Sequence, residues 1–172
     1  ISLEERNQIA DFDLSMHPQL AIKRDIFIFQ CCIGCRVSDL FKLTVNNVIN
    51  GAVEYIPHKT KGEKQNVVRV LLNNRAISLM NKYQGKGRLF PFISRQKYND
   101  DIKDIFRLCG VTRLVTVIDS VTGDEIQRPI NEIASSHMAR RTFVGNLYKQ
   151  VKDPNLIASM SGHTEGSKAF NR

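Results

Sequence analysis

The hydrophobic pattern of this 172-residue chain alternates between helical and strand periods, and that alternation constrains its fold more than any single motif. Up to Leu43 the apolar residues recur at helical spacing. Ser2-Leu3-Glu4-Glu5 is a capping-box start for a helix running to about Asp11. His17-Pro18 marks the next start, and Leu20 to Cys32 reads as a largely buried helix that Gly34 ends. Ser38-Asp39 is placed to cap a short helix through Leu43. From Thr44 the period moves toward two, with strands expected at Val45–Ile49, Ala52–Pro57 and Asn66–Leu72. Asn50-Gly51 is the strongest hairpin turn in the chain. The second connection, from His58 to Lys64, is polar and cationic. Helical spacing returns at about Arg75–Tyr83, Ser94–Leu108, Ile133–Gln150 and Pro154–Ser161. Between them, Leu114–Asp119 and Glu125–Pro129 form a second hairpin turned at Thr122-Gly123-Asp124. The expected class is therefore α+β, mainly α-helical, with a small antiparallel sheet. Without an internal repeat, a low-complexity tract or a linker, residues 1–172 read as one domain.

Composition narrows the partners. A net charge of +8 with a pI near 9.5 attracts polyanions, nucleic acid above all. The longest apolar run, Ile26 to Ile33, is interrupted by Gln30 and falls far short of the roughly 20 residues that cross a bilayer, so no membrane is expected. Cys32 and Cys35 have redox or zinc spacing, but no second pair of that spacing exists to complete a four-ligand site. Cys31, Cys32 and Cys35 continue the apolar face of a helix, where free thiols pack as small hydrophobes. That reading agrees with a reducing, cytoplasmic location.

The residues that carry chemistry are cationic. His137 and Arg140 are three apart, so on a helix both reach one patch. An imidazole beside a fixed guanidinium suits a tetrahedral oxyanion, phosphate above all; a basic helix with stray histidines is the plainer alternative. Arg36 lies at the junction of a buried helix and a capped one, where packing on both sides preorganises its guanidinium.

Four elements then stand in a recognisable order. Gly34-x-Arg36-x-Ser38-Asp39-Leu40 is followed by a hairpin with lysines in its turn, by His137-x-x-Arg140-Arg141-Thr142-Phe143, and by Gly162-His163. In this order and approximate spacing they resemble the catalytic domain of the tyrosine recombinases, the phage-integrase family of DNA breaking-and-rejoining enzymes. The similarity covers nearly the whole chain, and its C-terminal wording is most like integrases of mobile elements.

The resemblance implies that Arg36 and Arg140 are the two catalytic arginines. It implies that His137 touches the phosphate and assists proton transfer, and that His163 hydrogen-bonds a non-bridging oxygen. Lys59 fits the family's general acid best, with Lys61 as the alternative register. Lys61, Lys64 and Arg141 are expected to contact the DNA backbone. The family's nucleophilic tyrosine follows Gly-His by nine or ten residues. Here position 172, nine beyond His163, is arginine, and Tyr55, Tyr83, Tyr98 and Tyr148 are all elsewhere. The expectation is a chain that stops just before its nucleophile and begins after the family's N-terminal DNA-binding domain.

The implied reaction is transesterification through a 3′-phosphotyrosyl link. It needs no metal and no other cofactor, because guanidiniums supply the positive charge. The implied partner is double-stranded DNA, with a tetramer on DNA for the full-length protein. Two alternatives stay open: a non-catalytic DNA-binding regulator on the same fold, and a type IB topoisomerase running the same chemistry. Target sequence and direction of reaction are not legible.

Overall fold

A computed structural model describes residues 1–58, 67–83, 87–91, 94–151 and 153–162. Helix α1 (Leu3–Asp11) begins as its capping box requires. Ser2 Oγ accepts the Glu5 N–H at 3.1 Å, and the Glu5 carboxylate accepts the Ser2 N–H at 2.9 Å. Helix α2 (Pro18–Ile33) is the central element. From Ile26 to Ile33 every residue is buried, so this half is enclosed on all sides. It packs against α1, α4 (Asn74–Lys82), α5 (Arg95–Leu108) and α7 (Ser136–Val151). Phe27 meets Phe106 edge to face at 5.5 Å between ring centroids. Asp25 ties α2 to the end of α4: one oxygen accepts Lys82 Nζ and the Tyr83 hydroxyl, each at 2.7 Å, and the other accepts Arg24 Nε at 2.6 Å.

The four cysteines are free and buried in this core. Burial pushes the Cys31 and Cys35 thiols up, and the Cys109 thiol to about 11. They are neutral packing groups, as expected, and not the thiolates that redox or zinc chemistry uses.

The three-stranded antiparallel sheet has the order β1 (Val48–Ile49), β2 (Ala52–Tyr55), β3 (Val68–Leu71). The Asn50-Gly51 turn joins the first two with both residues at positive φ, +48° and +73°. The expected strand at Val45–Ile49 is mostly something else. Val45–Asn47 is a 3-10 turn, because Asn47 Oδ1 accepts the Thr44 N–H at 2.9 Å and Asn47 Nδ2 donates to the Glu54 carbonyl at 2.9 Å. Those side-chain bonds outcompete a ladder. The second hairpin is as expected, β4 (Leu114–Ile118) pairing antiparallel with β5 (Glu125–Pro129).

The expected helix at Ile133–Gln150 is two elements, α6 (Ile130–Ile133) and α7. Ala134 breaks the run with ψ 138°, and α7 restarts because Asn99 Oδ1 on α5 accepts the Ser136 N–H at 2.9 Å. Helix α8 (Pro154–Ser161) ends at Gly162 with φ +64°. Among the described residues, no helix is long and apolar enough to cross a membrane. The architecture is the α+β, mainly helical one that the periodicity predicts.

Candidate phosphate-binding site

The site is built where α2 stops. Gly34 turns the chain at φ +67°, and a Cβ placed there would lie 2.2 Å from Phe143 Cδ1 on α7. Only glycine satisfies both constraints. Its carbonyl accepts Arg140 Nη1 at 2.8 Å, which fixes the guanidinium of a residue only 4% exposed. The next carbonyl, of Cys35, accepts Gln30 Nε2 at 2.9 Å, and Gln30 Oε1 accepts the Tyr98 hydroxyl at 3.2 Å. The turn carrying Arg36 is thus held through its two preceding carbonyls.

Arg36 is the N-cap of α3 (Val37–Leu40), two or three residues before the expected cap at Ser38-Asp39. Ser38 is exposed, and the Asp39 side chain turns inward instead of capping. The helix is also shorter than expected, ending at Leu40 and not Leu43. Arg36 Nη1 is buried and has no hydrogen-bond partner among the described residues. A buried, unsatisfied guanidinium N–H is costly unless a ligand meets it.

Electrostatics place His137, Arg140 and Arg36 together. Partial burial, followed by the charges of Arg141, Arg140 and Arg36, holds the His137 imidazole below its ordinary value. Burial, followed by the charge of Arg36, lowers Arg140, while Tyr55, Cys35 and Asp39 oppose that shift. The ligand-free imidazole is therefore neutral near pH 7 and faces guanidiniums that repel one another. An oxyanion bound among these groups offsets the repulsion between their positive charges. Arg141 is exposed, one turn on from His137.

Against this charge stands Asp39, 4% exposed. Its Oδ1 accepts the His58 N–H at 3.0 Å, and its Oδ2 has no partner among the described residues. Asp39, Lys42, Asn47, Tyr55 and His58 line one cleft of about 150 Å³. Tyr55 feels the charges of Arg140 and Arg36, but it is buried in β2 and burial pushes its phenol far up. Tyr98 is fully buried, Tyr83 donates to Asp25, and Tyr148 is exposed late on α7.

Of the residues predicted from sequence, the structure brings together Arg36, His137 and Arg140, with Arg141 beside them. Lys59, Lys61, Lys64 and His163 lie outside the described residues. Their neighbours do not: a Cβ on Gly162 would lie 3.0 Å from Pro57 Cγ and from Val68 Cγ2. The turn before His163 therefore packs on the residues leading to Lys59. Sequence reasoning missed the Gly34 carbonyl, Gln30, Tyr98 and the inward turn of Asp39. Gln30 left one signal, as the polar residue interrupting an apolar run.

A fold with this helical core and small sheet is shared with DNA recombinases. XerH site-specific recombinase bound to palindromic difH substrate has 18% identity and a TM-score of 0.64, matching over 96% of this chain and 46% of its own. For the Tn1549 transposon integrase in complex with transposon right end DNA the values are 13%, 0.67, 99% and 60%. For a lambda integrase dimer bound to a COC′ core site they are 15%, 0.65, 99% and 46%. The chain thus spans about half the length of the structures it matches. No curated protein sequence matches it. Over residues 1–172 the sequence matches the phage integrase family, the tyrosine recombinases, and the chain belongs to that family.

Proposed function

We propose that this chain is the catalytic domain of a site-specific DNA recombinase of the integrase type, acting on double-stranded DNA in the cytoplasm. The observation that carries the reading is the buried Nη1 of Arg36, without a partner among the described residues, beside Arg140 and His137. Two guanidinium forks grip the non-bridging oxygens of a scissile phosphate and balance the added charge of its pentacoordinate transition state. The nucleophile is a tyrosine C-terminal to Arg172. Its oxygen bonds to phosphorus as the bond to the 5′-oxygen breaks, leaving a 3′-phosphotyrosyl ester and a free 5′-hydroxyl. Lys59 gives that departing oxygen its proton, with Lys61 as the alternative. His137 assists proton transfer at the tyrosine, and His163 hydrogen-bonds a non-bridging oxygen. Lys61, Lys64 and Arg141 hold the backbone on either side. The ester conserves the bond energy, so a strand's 5′-hydroxyl reverses the step, within a tetramer on two duplexes.

The test uses the full-length protein and a duplex that it selects from random sequence. A nick beside the cleavage point lets the 5′ fragment diffuse away and traps the adduct. The expected product is a protease-sensitive protein–DNA species joined at a 3′-phosphate, formed in the presence of a metal chelator. Binding without an adduct would replace the recombinase by a DNA-binding regulator.

A further inference from the structure

Two adjacent residues of α5 reach the two halves of the site. Tyr98 is fully buried, and its hydroxyl donates to Gln30 Oε1 at 3.2 Å, while Gln30 Nε2 donates to the Cys35 carbonyl at 2.9 Å. The Tyr98 ring also lies 6.0 Å from that of Phe41, the residue after α3. Asn99 turns the other way, and its Oδ1 accepts the Ser136 N–H at 2.9 Å. Successive side chains on a helix point about 100° apart, so a single turn of α5 presents one to α2 and the other to α7.

Both chains of bonds end on the backbone one residue before a group of the site. Cys35 precedes Arg36, and Ser136 precedes His137. Cys35 lies in the turn between α2 and α3, and Ser136 is the first residue of α7, where an N–H has no partner within its own helix. Gln30 stands in a run from Ile26 to Ile33 that is buried throughout, and it is tolerated there because both ends of its amide are bonded. A fully bonded polar network of this kind fixes one arrangement where apolar packing tolerates several. Arg140 is held separately, by the Gly34 carbonyl at 2.8 Å. The spacing between the Arg36 turn and the start of α7 is therefore referred to one continuous helix, α5.

We propose that Tyr98 and Asn99 are positioning residues that form a clamp on α5, setting the placement of Arg36 relative to His137 so that both meet one oxyanion. Each acts at one remove, Tyr98 through Gln30 and Cys35, Asn99 through the first turn of α7. The clamp rests on the proposed phosphate site. With Asn99 released, Arg36 and Arg140 keep their charges and their holds while His137 moves out of register. With the Tyr98 hydroxyl gone, the Arg36 turn loosens while His137 stays.

The test uses this chain with orthovanadate as the probe, comparing the parent with Tyr98→Phe, Asn99→Ala, the double variant and Asn99→Asp. Hydrogen exchange at the Ser136 amide should speed about tenfold or more in Asn99→Ala, and stay near the parent in Tyr98→Phe and in Asn99→Asp, which keeps an acceptor oxygen. Each of Tyr98→Phe and Asn99→Ala should weaken the orthovanadate Kd about fivefold or more, with Asn99→Asp close to the parent. The Arg36 Nε response should fade in Tyr98→Phe, and the His137 imidazole response in Asn99→Ala. The double variant should bind little more weakly than the worse single, because one anion needs both halves in place. An unchanged Kd in both singles, whatever stability they lose in urea, shows merely structural residues and overturns the clamp. Losses that add in full show two independent props and overturn the coupling. Should Asn99→Ala not fold, Asn99→Ser, whose hydroxyl is one atom short of the Ser136 amide, takes its place. A parent that does not bind orthovanadate removes the oxyanion site and the clamp with it, whereas a binding parent beside unaffected variants removes the clamp alone.

Discussion

Gly34→Ala is the perturbation with the clearest arithmetic. At φ +67° a residue with a Cβ is strained by about 1–2 kcal/mol. The new methyl would also sit 2.2, 2.6 and 2.8 Å from three ring carbons of Phe143, so the ring must move. Overpacking of that kind costs about 1–3 kcal/mol. The two effects together predict a loss of roughly 2–5 kcal/mol. For a chain of this length that lowers Tm on the order of 10 °C. Urea and thermal unfolding of parent, Gly34→Ala, Phe143→Leu and the double variant read the two parts separately. Adding Phe143→Leu to Gly34→Ala relieves the clash but leaves the φ strain, so the double variant should be more stable than the sum of the singles by about 1 kcal/mol or more. Because the Gly34 carbonyl holds Arg140 at 2.8 Å, oxyanion affinity should fall in Gly34→Ala even well below its Tm. A Gly34→Ala protein within about 0.5 kcal/mol of the parent would refute the close contact on which the site's geometry depends.

Arg36→Lys keeps the charge and loses the planar fork, so DNA affinity should change little while cleavage by the full-length protein drops about 100-fold or more; equal cleavage would end its assignment. His137 should titrate below 6.5 in the free chain by imidazole NMR, because partial burial and then Arg141, Arg140 and Arg36 disfavour its cation. Its folded value lies below its unfolded one, so the unfolded state binds more protons. His137 therefore costs stability as pH falls through about 6.5, and His137→Gln should flatten that slope. Burial alone would raise Asp25, but hydrogen bonds from Lys82 and Tyr83, with Arg24, outweigh it and hold the carboxyl below its ordinary value. Its contribution is present above pH about 4 and lost as pH falls through the depressed value. Asp25→Asn should cost roughly 2–4 kcal/mol in urea unfolding at pH 7, and much less near pH 3.

What was legible in the sequence depended on how far each determinant reached. Ser2 with Glu5, Asn50 with Gly51, and Ser94 before α5 act across two or three residues, and each lies where its local pattern puts it. The break before α7 is set by Asn99, 37 residues away from Ser136, and no local pattern reveals it. The same holds for the 3-10 turn that Asn47 builds by reaching the Glu54 carbonyl. Within the site, His137 and Arg140 were readable because they share a helix face. The groups that aim them were not: Gly34 and Arg140 are 106 residues apart, and Gln30 and Tyr98 are 68 apart. Asp39 was visible in the motif but read as a cap, because local chemistry offers an acidic residue in a first turn that role before any other.

The central claim is that Arg36, His137 and Arg140 converge on one tetrahedral oxyanion. Titrating this chain with orthovanadate, while following the Arg36 and Arg140 side-chain Nε resonances and the His137 imidazole, tests it without any target DNA. The predicted result is that all three respond with a single Kd, that the His137 pKa rises on binding, and that Arg36→Ala abolishes the response of the other two. Separate binding constants, or a response confined to His137, would contradict the shared site.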